Sequence, residues 1–356
     1  MDILFIGKRF YTNRDAYTEK FGRIYQLPYH WSKEKQTHLW LIDYHSKEKA
    51  ITQDENLQII TTPIFSLSFL SFFFEVIFKR PKTIIASGDC YIGLLSFILA
   101  KITNTKFIFD VYDKYDTFSG YRNIFGINIY QFLLKNSDIC LFASKKLLHD
   151  STSQCKKTIL APNGIDENHF YPRNMTESRK KLNLAEDNLY IGYFGSMEVE
   201  RGVDDLIEAV KLVRNDGIDL KILLGGKKRN DLKFDDNLFV TYLGNISFNQ
   251  VPLAMACCNL LALPYRNSEF LDNASSCKIA EYIAMKIPII STNNPNFLEN
   301  FAMHINKDNT FSECGEPSSL KQNILKQLKN PSYFNSSENN KWKNISEKIY
   351  LRLFSY

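Results

Sequence analysis

Leu260-Leu-Ala-Leu-Pro264, followed by a polar loop and then by Ser275-Ser276-Cys277-Lys278-Ile-Ala-Glu281-Tyr282 and Ile287-Pro-Ile-Ile-Ser291, decides how this chain folds. The first run is an apolar strand, the second opens a helix, and the third is another apolar strand. Strand, loop, helix and strand in that order make one parallel unit. Two small hydroxyl residues, Ser275 and Ser276, stand where the helix begins. A helix start carries unpaired N–H groups and a partial positive charge, and both suit a phosphate. Lys278 adds a full positive charge one turn in. Glu281, three residues later and near the same face, is an acceptor for hydroxyl groups.

Outward from this unit the same alternation continues. Candidate strands are Ile3–Ile6, Leu39–Ile42, Leu57–Ile60, Thr83–Ala86, Lys106–Val111, Ile139–Ala143 and Thr158–Leu160. After a polar stretch from Pro172 to Asn188 the pattern restarts with Tyr190–Phe194, Lys221–Leu224, Phe239–Tyr242, Asn259–Ala262 and Pro288–Ser291. Helical patterns such as Val203–Asn215 lie between them. The expectation is an α/β protein of two doubly wound domains, 1–173 and 174–338, facing across a cleft. A closing helix over 339–356, with apolar residues at Trp342, Ile345, Ile349 and Leu353, is expected to pack on the first domain. Ligands of such sheets bind outside the carboxyl ends of the strands.

A length of 356 residues fits two cores better than one. The net charge of +5 does not argue for nucleic acid, but it is unevenly placed. Residues 1–173 hold 22 Lys and Arg against 17 Asp and Glu, and the remainder hold 22 against 22. A basic half suits an acidic acceptor or anionic lipid, or is ordinary surface scatter. Seven cysteines without a C-x-x-C pair read as buried thiols of a reducing cytoplasm. Met1-Asp-Ile-Leu-Phe-Ile reads as a first strand and not as a signal peptide. Ile64–Phe78 (IFSLSFLSFFFEVIF) is rich in Phe but shorter than the roughly 20 residues of a spanning helix. It reads as a core helix or as an interfacial one.

A second phosphate candidate is Tyr193-Phe-Gly195-Ser196-Met-Glu-Val-Glu-Arg201-Gly202-Val-Asp-Asp-Leu, which follows a strand and opens a helix. Gly195 permits a tight turn against a ligand. Arg201 is placed to pair with a diphosphate through two parallel hydrogen bonds. Phosphate donors together with a hydroxyl acceptor are what a nucleotide-sugar site needs. No two Asp residues are spaced as D-x-D, which argues against a metal-bridged diphosphate. The expectation is therefore no metal and no cofactor, with the nucleotide-sugar as substrate. Asp113, in Asp110-Val-Tyr-Asp113, closes an apolar strand. It is a candidate to orient or deprotonate an acceptor hydroxyl, or else a helix cap.

These blocks, in this order, resemble glycosyltransferase family 4 (group 1), the retaining nucleotide-sugar enzymes of the GT-B fold. Ala161-Pro-Asn-Gly-Ile-Asp166 is similar to the family's P-N-G-V-D segment. Gly195–Ala209 is similar to its glycine loop and following helix, and Leu243-Gly244-Asn245 to the loop that touches the base. Ala274–Tyr282 resembles the S-P-x-K-x-x-E-Y form of its donor site. In the first half the likeness is loose and rests on Phe21-Gly22-Arg23 and Asp110-Val-Tyr-Asp113. The resemblance implies that Glu281 binds the ribose as the end of an E-x7-E motif. It also implies that Arg201 and Lys278 clamp the diphosphate, and that Gly195, Ser196, Asn245, Asn273, Ala274, Ser275 and Ser276 line the donor. Three positions depart from the family. Asn273 stands where the first Glu of E-x7-E would be, Ser196 replaces an Arg, and Lys286 replaces a usual Gly. The implied activity moves a hexosyl or N-acetylhexosaminyl group from a UDP- or GDP-sugar to a glycan or lipid-linked acceptor, with retention. It would serve surface polysaccharide or glycoconjugate assembly, in the cytoplasm or at the inner face of the cell membrane. The alternatives are an epimerase or phosphorylase of the same fold, or a nucleotide-sugar binding protein without catalysis.

Overall fold

In the computed structural model the apolar runs become two parallel sheets, one in each of two units. Described residues are 1–11, 14–45, 49–118, 120–234, 238–301, 311–334 and 338–354. One unit comprises Met1–Gly164, Asn273–Ser275 and Trp342–Tyr356, and the other Ile165–Asp272 and Ser276–Lys341. The chain begins with β1 (Ile3–Lys8), β2 (Phe10–Tyr11), β3 (Arg14–Asp15), α1 (Gly22–Trp31), β4 (Thr37–Asp43), β5 (Ala50–Asp54) and β6 (Leu57–Pro63). It continues through α2 (Leu67–Lys79), β7 (Thr83–Ser87), α3 (Cys90–Thr103), β8 (Lys106–Val111), α4 (Ile129–Asn136), β9 (Ile139–Phe142), α5 (Lys145–Ser151) and β10 (Thr158–Leu160). The sheet order is β10-β9-β8-β7-β1-β4-β6-β5. All pairs are parallel except β5 on β6.

The second unit contains α6 (Met175–Lys181), β11 (Leu189–Phe194), α7 (Val203–Asn215), β12 (Leu220–Gly225), β13 (Val240–Tyr242), α8 (Val251–Ala256) and β14 (Leu260–Leu263). These are followed by α9 (Glu269–Asn273), α10 (Cys277–Ala284), β15 (Ile289–Thr292), α11 (Pro295–Phe301), β16 (Phe311–Ser312) and α12 (Pro317–Lys329). Its sheet, β13-β12-β11-β14-β15-β16, is parallel throughout. The strand order reverses direction on either side of β11, so the switch point lies between β11 and β14. In the first sheet the reversal falls between β1 and β7.

Strands β1, β4 and β7 are buried almost along their full length. Helices cover both faces of such a sheet, so the strands read as continuous apolar runs. Each predicted strand is present, two with the predicted ends (Lys106–Val111 and Thr158–Leu160) and the others with ends shifted by at most three residues. The additional strands are the β2–β3 hairpin, the edge strand β5 and the two-residue β16. The edge strand's sequence, Ala-Ile-Thr-Gln-Asp, is largely exposed and carries no apolar run.

The last helix, α13 (Trp342–Phe354), buries the predicted stripe of Trp342, Ile345, Ile349 and Leu353. It packs in the first unit, where the Trp31 indole N–H donates to the Ser346 carbonyl at 2.9 Å. A Cβ on Gly164 would come within 2.8 Å of the Trp342 ring.

Helix α2 buries one face of the Phe-rich segment and exposes the other. Phe69 and Phe72 pack on Trp40 with ring centroids 5.3 and 4.9 Å apart, and Val76 is buried beside them. Ser66 caps the helix by accepting from the Phe69 N–H. Leu67, Leu70, Phe74 and Phe78 face out. Among the described residues no helix is long and apolar enough to cross a membrane.

All seven cysteines are free thiols, and Cys90, Cys140, Cys257 and Cys258 are buried. His149 is exposed, whereas the His169 ring stacks on that of Phe248 with centroids 4.1 Å apart.

His30, near the end of α1, is pushed down to about 4 by burial, with Lys33 and Lys343 adding to the effect. The folded protein therefore prefers the neutral ring, whereas the unfolded chain ionises near 6.5. The stability contributed by this preference is present above pH 6.5 and is lost as the pH falls from there toward 4. The ring is partly exposed, so the loss should be about 1–2 kcal/mol and not the full value of the shift. Urea unfolding at about pH 7.5 and about pH 5 should show this loss in the wild type and a much smaller one in His30→Gln. Equal losses in both proteins would rule His30 out as the source.

Candidate functional site

In the second unit the carboxyl ends of β11, β12 and β13 lead into three glycine loops that touch one another. The Gly195 N–H donates to the Gly225 carbonyl at 2.7 Å, and the Gly226 N–H donates to the Gly244 carbonyl at 2.8 Å. Gly226 has φ +125°, and a Cβ there would lie 2.2 Å from the Gly195 carbonyl oxygen. Only glycine permits this approach of backbone to backbone. Gly195 has φ +148° and meets a different neighbour. A Cβ on it would lie 1.8 Å from Cε and 2.5 Å from Nζ of Lys278. The lysine stem therefore lies across the bare backbone at the end of β11.

Helix α10 is held in this place by its own sequence. Tyr282, fully buried one turn after Lys278, accepts the Phe194 N–H at 2.9 Å. That N–H lies beyond the last β14 partner of β11, which pairs only through Ile191 and Gly192. The tyrosine thus satisfies a strand-end donor that the sheet leaves over and fixes the register of α10 on β11. Glu281, adjacent to it, is half-buried.

Arg201 is positioned by the other strand of the switch point. A Cβ on Gly202 (φ +67°) would lie 1.8 Å from the Pro264 carbonyl oxygen, so the 199–201 turn rests directly on the end of β14. The Arg266 N–H donates to the Glu200 carbonyl at 2.9 Å, and the Arg266 side chain grips Asp205 through two bonds of 2.7 and 2.6 Å. The Arg201 guanidinium then stands over the rings of Tyr265 and Phe270 at 5.1 and 5.8 Å. Stacking on aromatic faces orients a guanidinium while leaving its N–H edge directed sideways. The first turn of α7 carries Asp204 and Asp205, held by Arg229 and Arg266 respectively.

Before α10, Ser276 is the cap residue, and its N–H donates to the Asn296 side chain at 2.8 Å. Its hydroxyl lies 3.3 Å from that of Tyr265. The Ser275 hydroxyl is buried without a hydrogen-bond partner, as is the Asn296 side-chain nitrogen. Asn273, Ala274 and Ser275 are all buried and belong to the first unit. There the Ser275 carbonyl accepts from the Asn163 side chain at 2.5 Å. Ser196 is half-buried, and its carbonyl accepts from the Tyr193 hydroxyl at 2.7 Å. Asn245 is exposed just after Gly244.

In the first unit Asp113 follows β8 and is half-buried. The next turn, Tyr115–Thr117, takes Lys114 and not Asp113 as its cap residue. Asp110, in the same sequence block, has another task. It is fully buried and receives two bonds from Arg23, of 2.9 and 2.5 Å, and a third from Ser87 at 2.7 Å. Arg23 also donates to the Ala161 carbonyl and to the Asn163 side chain, at 2.9 and 3.0 Å. Burial tends to lower the Arg23 pKa, but the neighbouring Asp110 raises it overall.

Sequence reasoning thus placed Gly195, Gly202, Arg201 and Lys278, and the structure gathers them at one switch point. It missed Tyr265, Phe270 and Tyr282, which position the two cations. It also missed Gly225-Gly226 and the asparagines of Thr292-Asn293-Asn294-Pro295-Asn296. A glycine pair and an asparagine-rich run directly after strands were the available signals.

Residues 188–330 match the family described as "Glycosyl transferases group 1". The capsular polysaccharide biosynthesis glycosyltransferase CapM of Staphylococcus aureus is 26% identical over 238 residues, which is 60% of this chain and 60% of the relative's length. Among solved structures, sucrose-phosphate synthase from Thermosynechococcus elongatus superposes with a TM-score of 0.73 at 15% identity over 100% of both chains. HepE from Anabaena, solved in complex with UDP and glucose, gives 0.70 at 15% identity, also over 100% of both. At such identity the two structures speak for the fold, two parallel-sheet bodies of the GT-B kind. Residues 188–330 are thus similar to the group 1 glycosyltransferases, and the chain as a whole has the GT-B kind of fold.

Proposed function

We propose that this protein transfers a sugar from a nucleoside-diphosphate donor to a hydroxyl group of a glycan or lipid-linked acceptor. The observation that carries the reading is Lys278 lying across Gly195 at the switch point of the second sheet. This is where an open α/β sheet binds its ligand. Arg201, stacked on Tyr265 and Phe270, supplies a second cation on the adjoining strand end. Together they would neutralise the charge that develops on the departing nucleoside diphosphate. Two cations at this point make a bridging metal unnecessary, so the reaction is proposed to run without one. Glu281 would hold the ribose hydroxyls, and the 243–245 loop the base. The UDP bound to HepE and the role stated for CapM support a UDP-sugar donor and surface polysaccharide as the product. Retention of configuration follows from the family 4 resemblance. Asp113 is proposed to act on the acceptor hydroxyl.

A thermal-shift screen of UDP, GDP, ADP and NAD, with and without Mg²⁺, tests this reading. One nucleoside diphosphate should stabilise the protein without metal, by about 2.7 kcal/mol at a hundredfold excess over Kd. Glu281→Ala should weaken that affinity about tenfold, because a buried hydroxyl acceptor is worth on the order of 1.5 kcal/mol. Stabilisation by NAD alone would overturn the proposal.

A further inference from the structure

The first unit exposes large apolar side chains at three adjoining places. Helix α2 presents Leu67, Leu70, Phe74 and Phe78 on one stripe, with Phe65 just before it. Leu67 is 86% and Phe78 83% exposed, so these side chains project and do not line a groove. Helix α3, which packs beside α2, presents Ile98 and Ile102. The third place is a tight turn at 124–127, closed by two backbone bonds between Ile124 and Ile127. Both central residues have positive φ, Phe125 at 49° and Gly126 at 77°. A left-handed Phe costs on the order of 1 kcal/mol, yet this one is 99% exposed at the tip. The loop is tied to α3, where Tyr91 donates to the Gly120 carbonyl and accepts the Arg122 N–H.

Cations flank all three places. Lys79 ends α2 and Arg80 and Lys82 follow it, Lys101 lies between Ile98 and Ile102 in sequence, and Arg122 shortly precedes the turn. Lys79 pairs with Glu75 and Lys82 with Asp2. The whole excess of positive charge in the chain lies in residues 1–173. A protein partner would favour a flat, charge-depleted patch. Projecting aromatic and aliphatic side chains ringed by Lys and Arg match a bilayer interface bearing anionic headgroups.

We propose that α2, α3 and the 124–127 turn dock on an anionic lipid surface, with Phe78, Phe74, Leu67 and Phe125 entering the headgroup region. This goes beyond the transfer reaction and does not rest on it. The lipid itself is the ligand, so the full chain can be tested without any sugar substrate. Vesicles of phosphatidylcholine alone, and with about a third phosphatidylglycerol, are mixed with the protein and floated. Binding is expected only to the anionic vesicles, and it should drop sharply between about 0.1 M and about 1 M salt. Lys101→Glu should weaken binding by about fivefold or more. Phe78→Ser and Phe125→Ser should each weaken it about tenfold, with unchanged circular dichroism, since both side chains are exposed. No flotation of the wild type with anionic vesicles would overturn the proposal. So would wild-type binding by Phe78→Ser and Phe125→Ser together. A dimer that Phe78→Ser dissolves, with no vesicle binding, would make this face an interface between copies and also overturn it.

Discussion

Lys278→Ala should lower kcat by about 10²- to 10³-fold while weakening nucleotide affinity by less than about tenfold. The asymmetry follows from when the charge is needed. The bound donor already carries a diphosphate, but further negative charge develops on it as the glycosidic bond breaks. A cation fixed in advance at that position stabilises the transition state more than the ground state. Lys278 is fixed in this sense, because its stem crosses Gly195 and its helix is pinned to β11 through Tyr282. Arg201→Ala should behave in the same way, and Arg201→Lys should recover only part of the loss, since a lysine does not keep the stacked fork. Gly195→Ala gives an independent check. Its Cβ would lie 1.8 Å from Lys278 Cε, so the flexible lysine must move off the loop. The variant should fall most of the way to the level of Lys278→Ala, and the double variant should be little worse than either single one. Steady-state kinetics with the stabilising nucleotide-sugar, beside calorimetric Kd values, separate the two effects. A pure rise in KM for Lys278→Ala would mean that the lysine only binds.

The sheets were legible because burial on both faces leaves a short, continuous apolar run, as in Ile3–Ile6 of β1. The edge strand β5 carries no such run. It is exposed along most of its length, and its pairing with β6 is set by the chain reversal at 54–57 and not by its own residues. The two cations proposed to meet the donor, Arg201 and Lys278, were legible because each stands in the polar loop or first helical turn that follows an apolar strand. The residues that aim them were not, since Tyr265 and Tyr282 look in sequence like any core aromatic. Lys286 shows the converse. The family resemblance marks this position for glycine, and the backbone there does have φ +53°. The lysine follows α10 in a left-handed conformation all the same. Asn273 to Ser275 were read as part of the second domain, yet those three residues group with the first unit through bonds such as Asn163 to Ser275. No periodicity reports a contact 112 residues away.

Arg23→Met should destabilise the first unit by about 3–5 kcal/mol, lowering its melting temperature by about 10 °C. In the sequence Arg23 and Asp110 are two fragments of a loose resemblance; in the structure they are one fully buried ion pair, 87 residues apart. Removing the arginine leaves Asp110 as a charge without access to water, with the Ser87 hydroxyl still donating to it. The Ala161 carbonyl and the Asn163 side chain also lose their donors. Desolvation of an uncompensated carboxylate dominates the loss, and this decides the sign of a second experiment. If the burial of charge is the main term, Arg23→Met combined with Asp110→Leu should recover about half of the loss, because no buried charge remains. If the hydrogen bonds to Ala161 and Asn163 are the main term, the double variant should be no better than the single one, since those acceptors stay empty. Urea unfolding of the three proteins distinguishes these outcomes, and a loss below about 1 kcal/mol for Arg23→Met would show that the pair is not desolvated at all.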